Sequence, residues 1–170
     1  MVKAKKTVNY TKAWYALAVS RIMLGFVFLW AFLDKTMGLG LATPHGKAWL
    51  DGVSPTSGFL LKGVNPNSPS AEFFHGLAGN VLIDWLFMLG LLGIGMALIL
   101  GIGLRIAAIA GSMLLMMMWA AEMPLKNNPL VDDHMVYTVL LWVIALAPRK
   151  LSLIDTWLQT PTVKKNPWLW

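Results

Sequence analysis

"NNPLVDDHMVYTVLLWVIALA", residues 127–147, decides whether this chain has three membrane spans or four. Its apolar run from Met135 to Ala147 is too short to cross a bilayer, which takes about 17–25 helical residues. Asn128–Pro129 is a strong helix start. Asn accepts hydrogen bonds at an N-cap, and Pro at the first helical position lacks only an N–H that would be unpaired anyway. A helix over 129–147 is long enough to span. It draws Asp132, Asp133 and His134 into its first two turns, at the membrane boundary.

Composition supports the same picture. Residues are 57 % hydrophobic and only 13 % charged, too little polar surface to cover a soluble domain of 170 residues. Three further stretches have spanning length: 14–33, interrupted only by Arg21; 81–103, with Asp84 near its start; and 106–123, with Glu122 near its end. The expected fold is all-α: a four-helix transmembrane bundle forming one integral membrane domain over 1–170. A long extracytoplasmic loop joins helices one and two. Lys3, Lys5, Lys6 and Lys12 before the first run resemble a signal peptide's basic region. That run is too long and lacks a small-residue exit, so it reads as a retained span. No cysteine is present, which excludes disulfide relays, thiol redox chemistry, iron–sulfur ligation and c-type haem attachment within this chain.

Charge sets the orientation. Four spans put both termini on one side, with nine basic residues there counting Arg105 of the turn between spans two and three; the other side carries Lys35, Lys47, Lys62 and Lys126. Basic residues stay cytoplasmic, so the expectation is a multi-pass protein of a prokaryotic cell membrane with cytoplasmic N- and C-termini. The net charge of +6 then marks orientation and lipid headgroups, with no case for nucleic acid. The loop over 34–80, rich in Gly and Pro punctuation and bearing Trp49, Phe59, Phe73 and Phe74, reads as a partly apolar lid with a short helix near Phe73–Ala78.

Helical spacing assigns faces. Arg21, Gly25, Phe28, Phe32 and Lys35 share a stripe on the first span. Gly93, Ala97 and Gly101, with Gly90 beside them, form a small-residue row suited to close packing. Ala108, Gly111, Ser112, Leu115, Trp119 and Glu122 form a face on the third. On the fourth, successive residues differ by about 100°, which splits Asp132 from its neighbours. Asp132 is expected to face headgroup water, whereas Asp133, His134, Tyr137 and Thr138 face the bundle. Arg21, an intramembrane charge, either binds a ligand or holds the bundle, with Ser112 at similar depth. Lys35, Asp84, Glu122, Asp133, His134 and Tyr137 gather near the outer ends of the spans. They read either as interfacial charges in water or as a pocket for a quinone headgroup. In the pocket reading His134, Glu122 and Asp133 do proton chemistry, while Arg21, Lys35, Tyr137 and Asp84 bind. No ligand spacing involving His45, His75 or His134 signals a metal, and none is expected.

"ALAVSRIMLGFVFLWAFLDKTMG" resembles the first span of the DoxX family, with its R-x-x-x-G-x-x-F-L and a lysine near the outer end. "LFMLGLLGIGMALILGIGLRIAAIAG" resembles that family's Gly-rich second span, Arg-bearing turn and third span. "RKLSLID" is similar to its closing stretch. Arg21, Lys35, Arg105 and the Ser152–Asp155 end match the family pattern. The resemblance implies a small four-helix membrane protein related to the quinone-facing small subunit of thiosulfate:quinone oxidoreductase. Its partners would be other membrane subunits of a redox complex, lipid and quinone. The alternative expectation is a non-catalytic accessory subunit packed on a larger membrane complex.

Overall fold

The computed structural model describes residues 11–147 and 160–169. The 149–155 stretch and the tail Trp157 and Trp170 lie outside them, as do Lys3, Lys5 and Lys6. The first helix, α1, runs Thr11–Met37, 27 residues or about 40 Å at ~1.5 Å per residue. A 3-10 turn at Trp49–Asp51 and two short helices, α2 (Ser57–Lys62) and α3 (Ala71–Gly76), occupy the long connection. Then come α4 (Val81–Leu100), α5 (Leu104–Glu122) and α6 (Asp133–Leu146); a short α7 (Pro161–Lys165) leads into a last 3-10 turn at Pro167–Leu169. No strand occurs among the described residues.

Three of these helices, α1, α4 and α5, are long and apolar enough to cross a membrane. The α4–α5 connection is a tight turn. Gly101 and Gly103 take φ of 73° and 63°, and the Gly101 amide closes α4 on the Ala97 carbonyl. Side chains with a Cβ avoid that left-handed region, so glycine is what permits the reversal.

The fourth apolar helix is shorter than residues 129–147 promised. It starts at Asp133 and has 14 residues, about 21 Å against a hydrocarbon core of ~30 Å. Two candidate caps competed. Asn128 Oδ1 does accept from the Leu130 and Val131 amides, both at 3.0 Å, but these close a turn that no helix continues. The Leu130 carbonyl is instead taken by the Trp119 indole N–H at 3.0 Å. Asp132, extended at φ −132°, ψ −171°, caps the helix by accepting from the Met135 amide at 3.2 Å.

The bundle closes α1 on α4, α4 on α5, α5 on α6 and α6 back on α1. Opposed numbering shows that neighbours run antiparallel. Arg21 meets Leu98 while Lys35 meets Phe87, and Gly111 meets Leu141 while Glu122 meets His134. Leu24, Phe28, Met88, Leu98, Leu115 and Leu141 form the centre of the core. α1 and α4 come into backbone contact at Gly25 and Gly95: a Cβ on Gly95 would lie 2.8 Å from the Leu29 amide nitrogen. This corrects the expected row. A Cβ on Gly93 would meet nothing within 4 Å, and Gly101 is a cap. Spacing shows that residues share a stripe, but not which stripe meets a neighbour.

Candidate functional site

The two ends of the bundle differ in kind. At the turn end, Arg21 is buried on α1 and its Nη1 donates to the carbonyls of Leu98 at 2.6 Å and Ile99 at 3.3 Å. Those carbonyls belong to the last turn of α4, where no intrahelical donor remains and the helix dipole is negative. Arg21 therefore finishes a helix. It lies far from the other expected site residues and does not meet Ser112, whose buried hydroxyl has no partner among the described residues.

At the loop end, the connection expected as a lid is folded and fastened. Asp84, in the first turn of α4, accepts from the Ser54 hydroxyl at 2.8 Å, the Thr56 hydroxyl at 2.5 Å and the Thr56 amide at 3.4 Å. Trp49 stacks edge-on against Trp85 with ring centroids 4.6 Å apart. Asp84 is thus consumed by loop anchorage and is not presented to a ligand. The final carbonyls of α5 are met in the same way. Asn65 donates its amide to Ala121 at 3.0 Å and its side chain to Pro124 at 2.8 Å, while the Ser68 and Ser70 hydroxyls reach Ala120. Leu60, Val64, Ala71 and Phe74 bury themselves against Ala121 beneath these bonds.

Between the ends of α5 and α6 a different arrangement appears. Glu122, Asp132 and His134 place one ligating atom each within 4.8 Å of one another. His134 is nine-tenths buried, and its Nδ1 lies 2.7 Å from Asp132 Oδ2. An ionised carboxylate only accepts, so Nδ1 carries the proton; in the neutral ring Nε2 is left as an acceptor. Burial by itself would push the Asp132 carboxyl up. Hydrogen bonds from His134 and the Met135 amide, with attraction to the ring, outweigh it and hold Asp132 below its ordinary range. The Thr138 hydroxyl donates to the His134 carbonyl at 2.8 Å, one turn further in.

This reverses the expected roles of Asp132 and Asp133. Asp132 turns back to His134 and keeps a side chain 17 % exposed, whereas Asp133 is 69 % exposed with Oδ1 3.7 Å from Nδ1. The 100° rule applies to helical residues, and an N-cap residue is extended. Its side chain can fold over the first turn and join a residue two positions on. Tyr137 does lie on the inward face with His134, half-buried against the core. Lys35 does not join the group: its Nζ sits 5.8 Å from the Phe87 ring centroid, on the α1–α4 side.

A pocket of about 540 Å³ opens beside the group. Glu122, Asp132 and Asp133 line it with Lys62, Lys126 and Asn65, and His134 stands behind Asp132. One further carboxylate had no sequence signal. Asp34 is 1 % exposed, and neither of its oxygens has a hydrogen-bond partner among the described residues. It lies off the Arg21–Lys35 stripe, next to the end of α1 where Gly38 is covered by Ala48 of the loop. No family model matches the chain, and neither a curated protein nor a solved structure matches it.

Proposed function

We propose that this chain is a membrane subunit of a quinone-linked redox complex, with a headgroup site at the loop end of α5 and α6. The carrying observation is the Asp132–His134 pair, 2.7 Å apart, beside Glu122 at the wall of a polar pocket. A quinol that gives up two electrons also releases two protons, and proton acceptors must stand near its oxygens. Asp132 and Glu122 face the pocket as such acceptors, with His134 backing Asp132. The electrons go to a partner subunit. The DoxX-like sequence around Arg21 and Lys35 is what suggests a quinone-handling complex, although neither residue reaches this pocket.

In this reading α6 also crosses the membrane, with local thinning of the bilayer or snorkelling of its flanking residues making up its length. Its exposed Val136, Val139, Trp142 and Val143 support that placement. The nine-to-four basic bias supports cytoplasmic termini, and a C-terminal reporter active only outside would reject that orientation. The same apolar α6 face favours the second reading, an accessory subunit covered there by a larger complex.

The test is photo-crosslinking with an azido-quinone in native membranes, together with quinone-linked turnover of the purified complex. Labelling near residues 122–134, and turnover lowered in Glu122→Gln and His134→Ala but not in Glu72→Gln, is the expected result. Labelling absent from this region, with all three variants turning over equally, rejects the quinone site. Co-purification of a large partner complex would then favour the accessory role.

A further inference from the structure

The polar groups at the loop end divide by what the fold does with them. Asp84 holds the loop, and Asn65, Ser68 and Ser70 close α5. Asp132 spends Oδ1 on the helix cap. The Glu122 carboxylate, by contrast, accepts no hydrogen bond from any described residue. Among these residues, no lysine or arginine nitrogen comes within 4 Å of Glu122 or Asp132, and Lys126 acts on Glu122 only at longer range. Two carboxylates therefore converge on a buried imidazole with no lysine or arginine in direct contact. The hydrogen bond joining Asp132 to His134 is a proton held between two metal-ligating atoms.

We infer that Glu122, Asp132 and His134 form a binding site for a divalent transition-metal ion of zinc-like ligand preference. The donor set decides the class. One imidazole with two carboxylates suits zinc, manganese or iron, whereas calcium and magnesium prefer oxygen alone. Bonds of about 2.0–2.2 Å put the ligands of a tetrahedral ion about 3.3 Å apart. The present separations run from 2.7 Å to at most 4.8 Å. Small side-chain rotations reach that value, the larger one falling to Glu122, which accepts no hydrogen bond among the described residues.

The backbone is already arranged for it. Glu122 and Asp132 are ten residues apart in sequence, and the segment between them is held by the Trp119–Leu130 bond and the Asn128 turn. Three protein ligands leave a fourth position for water from the pocket. The ion ties the end of α5 to the start of α6. Its binding requires no quinone, so the metal site and the quinone site stand or fall separately.

The experiment uses the full chain in detergent, stripped with a chelator and titrated with Zn²⁺ against a colorimetric zinc indicator. Bound metal is also counted after dialysis. One tight equivalent is expected, with a rise in thermal midpoint, since a ligand that binds only the folded state stabilises it. Glu122→Gln and His134→Gln should each weaken binding by about tenfold or more and abolish the thermal shift, and Glu72→Gln should change neither. Glu122 makes no side-chain hydrogen bond among the described residues, so Glu122→Gln decides the matter even where His134→Gln fails to fold. Wild-type affinity in Glu122→Gln, or several weak equivalents lost equally in Glu72→Gln, means adventitious carboxylate binding only and overturns the site. Quinone crosslinking to the metal-stripped protein is read independently of either result.

Discussion

The turn end and the loop end of this bundle both bury charge, and they use it oppositely. At the turn end one guanidinium finishes one helix, with Arg21 on the Leu98 and Ile99 carbonyls and Gly25 pressed on Gly95. The Arg21 guanidinium has a structural task there. At the loop end the hydroxyls of Ser54 and Thr56 occupy Asp84, and Asn65 and Ser68 close α5, so that Glu122, Asp132 and His134 are not all needed. Polar groups that the fold has no use for are where function is best sought, because burying them costs stability that packing must offset.

The comparison breaks first at the turn end. Gly95→Leu would drive a side chain into the Leu29 backbone, 2.8 Å from the Cβ position. The loss expected in thermal denaturation is about 3 kcal/mol or more, or no folded protein at all. Normal melting would mean that α1 and α4 are not in backbone contact. Arg21→Leu comes next, at about 2–3 kcal/mol, because two α4 carbonyls lose a charged donor. Arg21→Lys should restore only part of that, as a point charge cannot copy the guanidinium fork. Wild-type melting of the Leu variant would show that α4 closes without Arg21.

Asp84→Ala is expected to cost less, about 1–2 kcal/mol, and to act locally. Hydrogen exchange should quicken across residues 54–60 while α5 and the turn end stay protected. Uniform loosening of the whole bundle would deny that the loop is a separately fastened unit. The smallest effect belongs to Glu122→Gln, expected within about 0.5 kcal/mol of wild type in the metal-free protein. A loss as large as that of Arg21→Leu would place Glu122 in the scaffold and remove the contrast between the two ends.

Much of the architecture was legible in local signals. Apolar runs over 81–103 and 106–123 became α4 and α5 within a few residues, although Gly101 and Gly103, counted in the second run, form the turn between them. The inward face of α6 was also readable: His134 and Leu141 are buried while Val139 is exposed. The site was legible only in part. His134 and Glu122 come together as spacing and topology suggested, but Asp132 and Asp133 exchanged roles, and Lys35 and Arg21 went elsewhere.

The difference has a physical origin. Length, hydropathy and helical periodicity are properties of a chain a few turns long, so the sequence by itself determined three helices of membrane-crossing length and the core stripe of α6. Which of two caps starts a helix depends on who takes the alternative hydrogen bonds. Here Trp119, eleven residues before Leu130, settled the start of α6 at Asp133. Which glycines touch depends on helix rotation against a neighbour, and that chose Gly25 and Gly95 over Gly93. Folding of the long loop onto α4 and α5 then fixed the fate of each carboxylate. Asp84 became an anchor and Asp34 was buried, while Glu122 was left open beside Asp132 and His134. These outcomes rest on contacts between segments far apart in the chain, and only the tertiary structure decided them.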